Sequence, residues 1–366
     1  MKLLVEPGDG VQPLVKAIAS AKHSVDIMIF RFDQREIERA LANAVSRGVA
    51  VHALIAHTNR AGEEGLRRLE MRLLAAGVTV ARTADDLIRY HGKMMIVDAR
   101  ELYLLAFNLT YSDIEHSRSF GLITGSRDVV REAEELFKAD TKRHPYEPGL
   151  DRFVVSPVNA RKQLAAFIKG ARKELLIYDP KVSDPAMIRL LTERAASGVD
   201  VRVIGRVTKK ANGVDVRKLQ GMRLHTRTMV RDGKLAFIGS QSLREIELDE
   251  RREVGLIFRE TRIVNRLRRT FEGDWSASAQ PGAAAEDAIA SDKIAKRVAK
   301  AVTKDLPPVG PLVNGAVKEL VGSNGDLEFN TKEVEEIVKG AVKDAVKEVV
   351  RDVVEEVVEH HEEAAR

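Results

Sequence analysis

Two eight-residue strings hold the residues best suited to chemistry, His91-Gly-Lys93-Met-Met-Ile-Val-Asp98 and His225-Thr-Arg227-Thr-Met-Val-Arg-Asp232. Both read His-x-Lys/Arg-x4-Asp, and the residues downstream of each are in step. Asn108 and Ser242 lie 17 residues after their histidines, and Ser119 and Glu253 lie 28 after. Matched spacing of this kind points to a duplicated half-site that uses two histidines at once. Imidazole is a competent nucleophile towards phosphorus, and a second imidazole can protonate a leaving oxygen. On a strand, residues two apart face the same way, so His91 projects with Lys93 and His225 with Arg227. Cations and amide donors placed there balance charge on non-bridging phosphate oxygens. The chemistry predicted is displacement at a phosphodiester.

The elements that must position these residues repeat as well. In the first half the pattern predicts a helix over Leu14 to Ala21, a buried strand over His23 to Phe30, a helix over Glu36 to Arg47 and a strand over Val49 to Ala56. The second half predicts the same order over Arg161 to Gly170, Glu174 to Asp179, Pro185 to Ser197 and Val199 to Arg206. Gly48 and Gly198 turn helix into strand at matching points. Each motif then falls on a strand pair, with Asp232-Gly233 suited to a tight hairpin. Each half closes with a strand and a helix, over Ser119 to Thr124 and Asp128 to Ala139, then Glu253 to Phe258 and Thr261 to Trp275. Gly48 precedes His91 by 43 positions but Gly198 precedes His225 by 27, so the first half carries an insertion around a charged helix, Glu63 to Ala76. That insertion is expected to form a rim beside the site or a surface elaboration. The fold class predicted is α/β: two half-domains related by a pseudo-twofold axis, plus a helical C-terminal tail. The boundaries expected are 1–148 and 149–275 for the halves, 276–330 for a linker with a short basic helix, and 331–366 for a long amphipathic helix.

The 366 residues suffice for a large core, and with no cysteine the chain has neither disulfides, a zinc-thiolate site nor a cysteine nucleophile. The charged opening residues do not read as a secretory signal, and no apolar run reaches the length that spans a bilayer. A cytoplasmic location is therefore the expectation, with peripheral membrane contact as its variant. Residues 281–366 hold 12 basic and 18 acidic side chains, which against +5 for the chain leaves +11 on residues 1–280. Such a body favours anionic partners: phosphodiesters, nucleic acid or an anionic membrane surface. In the tail, apolar pairs recur every four residues from Ile337-Val338 to Val357-Val358, and self-association through residues 331–364 is the reading.

At the paired motifs the sequence resembles the phospholipase D superfamily. Gly239-Ser240, Glu253-Val-Gly255 and Asp274-Trp275 add to the likeness, which covers residues 1–275. The resemblance implies a phosphodiesterase or phosphatidyltransferase that works through a covalent phosphohistidine, with no metal and no cofactor. It implies His91 as nucleophile and His225 as general acid, with Lys93, Asn108 and Arg227 binding phosphate oxygens. Glu253 is expected to hold His225 charged, and Asp98 and Asp232 to anchor the local fold. The chain also departs from the family pattern. Ser119 stands where the pattern has Glu, Arg227 where it has Lys, Ser242 where it has Asn, and Leu105-Ala106 where it has Gly-Ser. The retained pieces are complementary, so they compose one asymmetric site. The leading function is a phospholipid-processing hydrolase or transferase. A metal-independent nuclease and a catalytically eroded scaffold are the alternatives.

Overall fold

The computed structural model describes residues 1–58 and 63–278. The first half runs β1 (Lys2–Glu6), α1 (Gln12–Ser20), β2 (Ser24–Ile29), α2 (Arg35–Ser46), β3 (Ala50–Ile55), α3 (Glu63–Ala75), β4 (Thr79–Arg82), β5 (Arg89–Tyr90), β6 (Met94–Val97), β7 (Glu101–Leu105), α4 (Tyr111–Glu115), β8 (Ser117–Thr124) and α5 (Arg127–Lys142). The second runs β9 (Phe153–Val155), α6 (Ala160–Lys169), β10 (Glu174–Val182), α7 (Pro185–Ala196), β11 (Asp200–Val207), β12 (Val214–Arg217), β13 (Arg223–Leu224), β14 (Arg227–Arg231), β15 (Leu235–Gly239), α8 (Glu245–Asp249), β16 (Arg251–Arg252), β17 (Val254–Phe258) and α9 (Thr261–Ala277). Helix α9 continues two residues past Trp275, where the linker was expected to begin. The basic helix and the amphipathic tail helix expected from the sequence lie outside the described residues.

Two mixed sheets share one strand order. The first reads β1-β8-β7-β6-β2-β3-β4, and the second, taken from its equivalent edge, β9-β17-β15-β14-β10-β11-β12. Register repeats too: Ser24 pairs Ala50 as Glu174 pairs Asp200, and Val25 pairs Val97 as Leu175 pairs Arg231. Alternation along the strands sends side chains to both faces, and both faces are covered. Met94, Ile96, Leu102 and Leu104 point to a central apolar cluster that also takes Leu176, Val230, Ile238 and Leu256 of the second sheet, with residues of α5 and α9. Met95, Val97 and Tyr103 point outward to a second cluster covered by α1 and α2. Each fully buried Leu, Ile or Phe contributes ~1.5–3 kcal/mol to holding this arrangement.

Helix α2 shows how local pattern becomes packing: Ile37, Ala40, Leu41 and Ala44 fall on its buried stripe. Gly48 and Gly198, at φ 85° and 84°, then release both chains into the next strand. The first-half insertion is built into the fold, with one face exposed at Met71 and Leu74. It is α3, whose Leu66, Leu69 and Leu73 are buried in the outer cluster, and it forms the crossover between the parallel strands β3 and β4.

Each motif aspartate ends a hairpin strand at positive φ. Asp98 and Ala99 sit at 54° and 51°, Asp232 and Gly233 at 53° and 61°, as a tight two-residue turn requires. The Asp98 carboxylate accepts from the amides of Lys22, His23 and Ser24, and Asp232 from those of Arg172, Lys173 and Glu174. Each aspartate thereby ties its hairpin to the start of the neighbouring strand, far from the histidine of its own motif. Burial is the largest single influence and opposes ionisation, but the three amides together prevail and lower both carboxyls.

Candidate active site

The segments entering the two histidines exchange partners across the halves. Strand β5 pairs in parallel with β16, Arg89 against Arg251 and Tyr90 against Arg252. Strand β13 pairs likewise with the start of β8, Arg223 against Ser117 and Leu224 against Arg118. The His91 amide then donates to the Arg252 carbonyl at 2.7 Å, and the His225 amide to the Arg118 carbonyl at 3.1 Å. Each histidine is fixed against the strand of the opposite half, one residue before that half's Ser119 or Glu253.

This exchange overturns one expectation. Glu253 does not hold His225; its carboxylate lies 2.8 Å from Nδ1 of His91. Pairing within one motif was the simple reading of the spacing, but the crossed short strands carry Glu253 to the other half's imidazole. Both groups are buried, and burial pushes the Glu253 carboxyl up to about 7, with Glu247 adding to the rise. Burial, then Lys93 and Arg227, holds the His91 imidazole well below its ordinary value. The neutral ring donates Nδ1–H to Glu253, which directs the Nε2 lone pair the other way. The rings of Phe30 and His91 pack in a T-shape at a centroid distance of 4.5 Å.

The two cations are placed alike. Lys93 Nζ donates to the His91 carbonyl at 2.8 Å, and Arg227 Nη1 to the His225 carbonyl at 2.8 Å. Lys93 Nζ also lies 3.0 Å from His91 Nδ1 and 2.9 Å from Nε2, and burial lowers its ammonium to about 7. Arg227 acts electrostatically on His91 and Lys93 on His225, so the two motifs converge on one electrostatic site. Ser242 Oγ accepts from Arg227 Nε at 3.0 Å. Ser240 Oγ accepts from the Val254 amide at 3.1 Å and supports Glu253. Ser119 is fully buried, and its hydroxyl has no hydrogen-bond partner among the described residues.

Two acidic residues that the motif reading passed over complete the site. Asp113 and Glu247 each follow their histidine by 22 residues. The Asn108 amide donates to Asp113 at 2.8 Å, and the Ser242 amide to Glu247 at 2.7 Å. Asn108 Nδ2 also donates to Asp113, at 2.7 Å, so both Asn108 donors face this carboxylate. Arg223 Nη1 meets Asp113 at 2.7 Å, and Arg251 Nη1 meets Glu247 at 3.2 Å. Burial opposes ionisation of both. His225, Arg223 and the Asn108 donors outweigh it at Asp113, and Arg227, Arg251 and Arg244 at Glu247, so each carboxyl sits well below its usual range. The signal was present in the sequence as an acid in step in both copies. It lies on five-residue helices, α4 and α8, too short to show a periodic pattern. Among the described residues no group of three or more His, Asp or Glu side chains is arranged to hold a metal ion.

Known proteins share this architecture. A family model described as "Cardiolipin synthase, PLD-like domain" matches residues 14–141 and 164–275. The mitochondrial cardiolipin hydrolase of Danio rerio is 27% identical over 124 residues, 34% of this chain, and the match spans 53% of that relative's own length. A polyphosphate kinase from Porphyromonas gingivalis superposes with a TM-score of 0.64 at 18% identity, over 74% of this chain and 46% of its own. A phosphatidylserine synthase from Haemophilus influenzae superposes with 0.55 at 10% identity, over 73% and 83%. The structural likenesses establish the fold. The family match falls on both halves, takes in both histidine motifs and covers most of the chain, so the protein belongs to the phospholipase D superfamily.

Proposed function

We propose that the chain is a phosphodiesterase or phosphatidyltransferase acting on phospholipid through a covalent phosphohistidine on His91, without a metal. The observation that carries this reading is the Glu253 carboxylate at 2.8 Å from His91 Nδ1. A neutral imidazole held by Nδ1 presents Nε2 as a lone pair, the form that attacks phosphorus. In the first step Nε2 forms a bond to phosphorus. The bond from phosphorus to the leaving oxygen breaks, and that oxygen takes a proton from His225. In the second step water, or an alcohol in a transfer, attacks phosphorus and passes its proton to His225. The nitrogen–phosphorus bond breaks and returns its electron pair to His91. Lys93 and Arg227 face the non-bridging oxygens, and an anionic phosphodiester beside Lys93 favours its charged form.

Preference for phospholipid draws on the family description and on the cardiolipin hydrolase relative. Nucleic acid is the second substrate class, favoured by the charge of +11 on residues 1–280. Among the described residues no helix is long and apolar enough to cross a membrane, so a lipid would be met at its surface. The test is turnover of bis-p-nitrophenyl phosphate, cardiolipin vesicles and DNA in excess EDTA, followed by rapid quench to trap labelled histidine. Label on His91, with loss of turnover in His91→Ala and in His225→Ala, is the expected result. Turnover with no label on either histidine rejects the covalent mechanism. No turnover of any substrate leaves the fold serving as a binding module.

A further inference from the structure

The two histidines are not held alike. His91 has Glu253 on Nδ1, contributed by the opposite half. The equivalent position opposite His225 is Ser119, whose side chain is too short to reach as a glutamate does. Its hydroxyl is buried with no hydrogen-bond partner among the described residues. What lies against His225 instead is Asp113 of α4, whose Oδ2 is 3.2 Å from Nε2, a charge contact without the geometry of a hydrogen bond, since Nε2 has no hydrogen-bond partner among the described residues. Arg223 closes the triangle, donating from Nη1 to Asp113 at 2.7 Å and from Nη2 to His225 Nδ1 at 3.0 Å.

We propose that Asp113 is the positioning residue of His225, acting from the same half on the Nε2 side of the ring and through Arg223 on Nδ1, where β8 offers no carboxylate at Ser119. The proposal rests on the two-histidine reading above. With Arg223 donating to Nδ1, the neutral ring carries its proton on Nε2, the nitrogen beside Asp113. To act as an acid the ring takes a second proton at Nδ1 from solvent water, which requires Arg223 to leave that nitrogen. Arg223 is held by its other nitrogen on Asp113, and an arriving phosphate gives the freed group an anion to face. The Nε2 proton then passes to the leaving oxygen, and the ring keeps the one at Nδ1. The charged groups acting on His225 are Asp113, Arg223, Arg227 and Lys93, and Asp113 is the anion among them. Burial and the three cations disfavour the imidazolium; Asp113 supports it.

Ring nitrogen NMR of histidine-labelled protein, with His225 assigned through His225→Gln, reads this directly and needs no turnover. The unaltered protein should show the neutral His225 ring protonated at Nε2. Asp113→Asn should lower the pH at which the ring loses its charge. Its kcat on the generic ester should fall about a hundredfold, with KM held within about twofold. The alkaline limb of its pH–rate profile should also move to lower pH, because Asp113 supports the Lys93 ammonium that sets that limb. The double variant Asp113→Asn with Ser119→Glu should regain at least about tenfold of the lost kcat, because it gives His225 an opposite-half carboxylate equivalent to the one His91 has in Glu253. An Nδ1-protonated ring in the unaltered protein overturns the proposal even if neither variant folds. So does a folded Asp113→Asn protein with ring and kcat unchanged, or a folded double variant that regains nothing. Should the unaltered protein turn over no substrate, the function above fails, while the ring measurement still decides the role of Asp113.

Discussion

At the scale of single residues the site opposes stability and function to each other. Glu253 must be ionised to hold His91, yet burial raises its carboxyl to about 7; Lys93 must be charged to meet phosphate, yet burial lowers it to about 7. Turnover should therefore be bell-shaped in pH with its maximum near 7: Glu253 takes up a proton on the acid side, and Lys93 releases one on the alkaline side. A pH–rate profile flat from 5.5 to 8.5 would contradict this (range spanning roughly 1.5 units each side of the midpoint). A carboxyl raised above its unfolded value binds its proton more tightly in the folded state. Its contribution is thus favourable at low pH and is lost as pH rises from about 4.3 to about 7. Glu253→Gln should gain stability on the order of 2 kcal/mol at pH 8 and almost none at pH 4. Its kcat should fall by about a thousandfold. Thermal melts at the two pH values, read beside kcat, check the pair.

At the scale of elements, the twin hairpins β6–β7 and β14–β15 form an internal control. Both turns need positive φ at two successive positions, and only the second has glycine there, at Gly233. Ala99 at φ 51° carries a Cβ in the left-handed region, where L residues pay about 1 kcal/mol. Ala99→Gly should stabilise by roughly 0.5–1 kcal/mol net of its unfolded-state entropy, and Gly233→Ala should destabilise by about 1 kcal/mol. Urea titrations of both variants test the sign. Removing the Asp98 carboxylate has a larger effect, because amide donors of Lys22, His23 and Ser24 lose their acceptor. Asp98→Ala should cost about 2 kcal/mol at neutral pH. Because the folded carboxyl is lowered, that difference should be present above about pH 4 and should vanish as the parent's own Asp98 is protonated at lower pH.

At the scale of the whole described body, the halves are bound through ionic and apolar contacts alike. Arg118 of β8 donates to Asp274 of α9 at 2.7 Å and 3.0 Å, and to the Glu6 carbonyl at 2.9 Å. Tyr178 of β10 donates to the same Asp274 at 2.6 Å. One carboxylate thus joins strands of both sheets to the last described helix. Asp274→Ala would leave a mostly buried guanidinium and a buried phenol without their acceptor, at a cost of about 3 kcal/mol. Because the central cluster draws on both sheets, unfolding of residues 1–278 should be one cooperative transition, with near-ultraviolet and far-ultraviolet signals coinciding. Two separated transitions within that body would show that the halves fold independently.

The sequence alone determined the doubling, the main strands and helices of each half, and the two histidine motifs as candidates for phosphate chemistry; the edge strands β1, β4, β9 and β12 and the short helices α4 and α8 appear only in the structure. The features legible in sequence come from local rules: alternation on strands, buried stripes on helices such as α2, glycine at the helix-to-strand turns, and fixed steps after each histidine. The same alignment held the acids at Asp113 and Glu247 and the arginines at Arg89 and Arg223, two residues before each histidine. They passed unread because a step repeated in two copies has no chemical meaning until a partner is known. Which carboxylate serves which histidine was decided by tertiary structure. Strands β5 and β13 each cross to pair with the opposite half, and this sends Glu253 to His91 and leaves His225 to Asp113. A two-residue strand has no periodicity to detect, and its pairing is fixed by how two large sheets pack, which no spacing along one chain records.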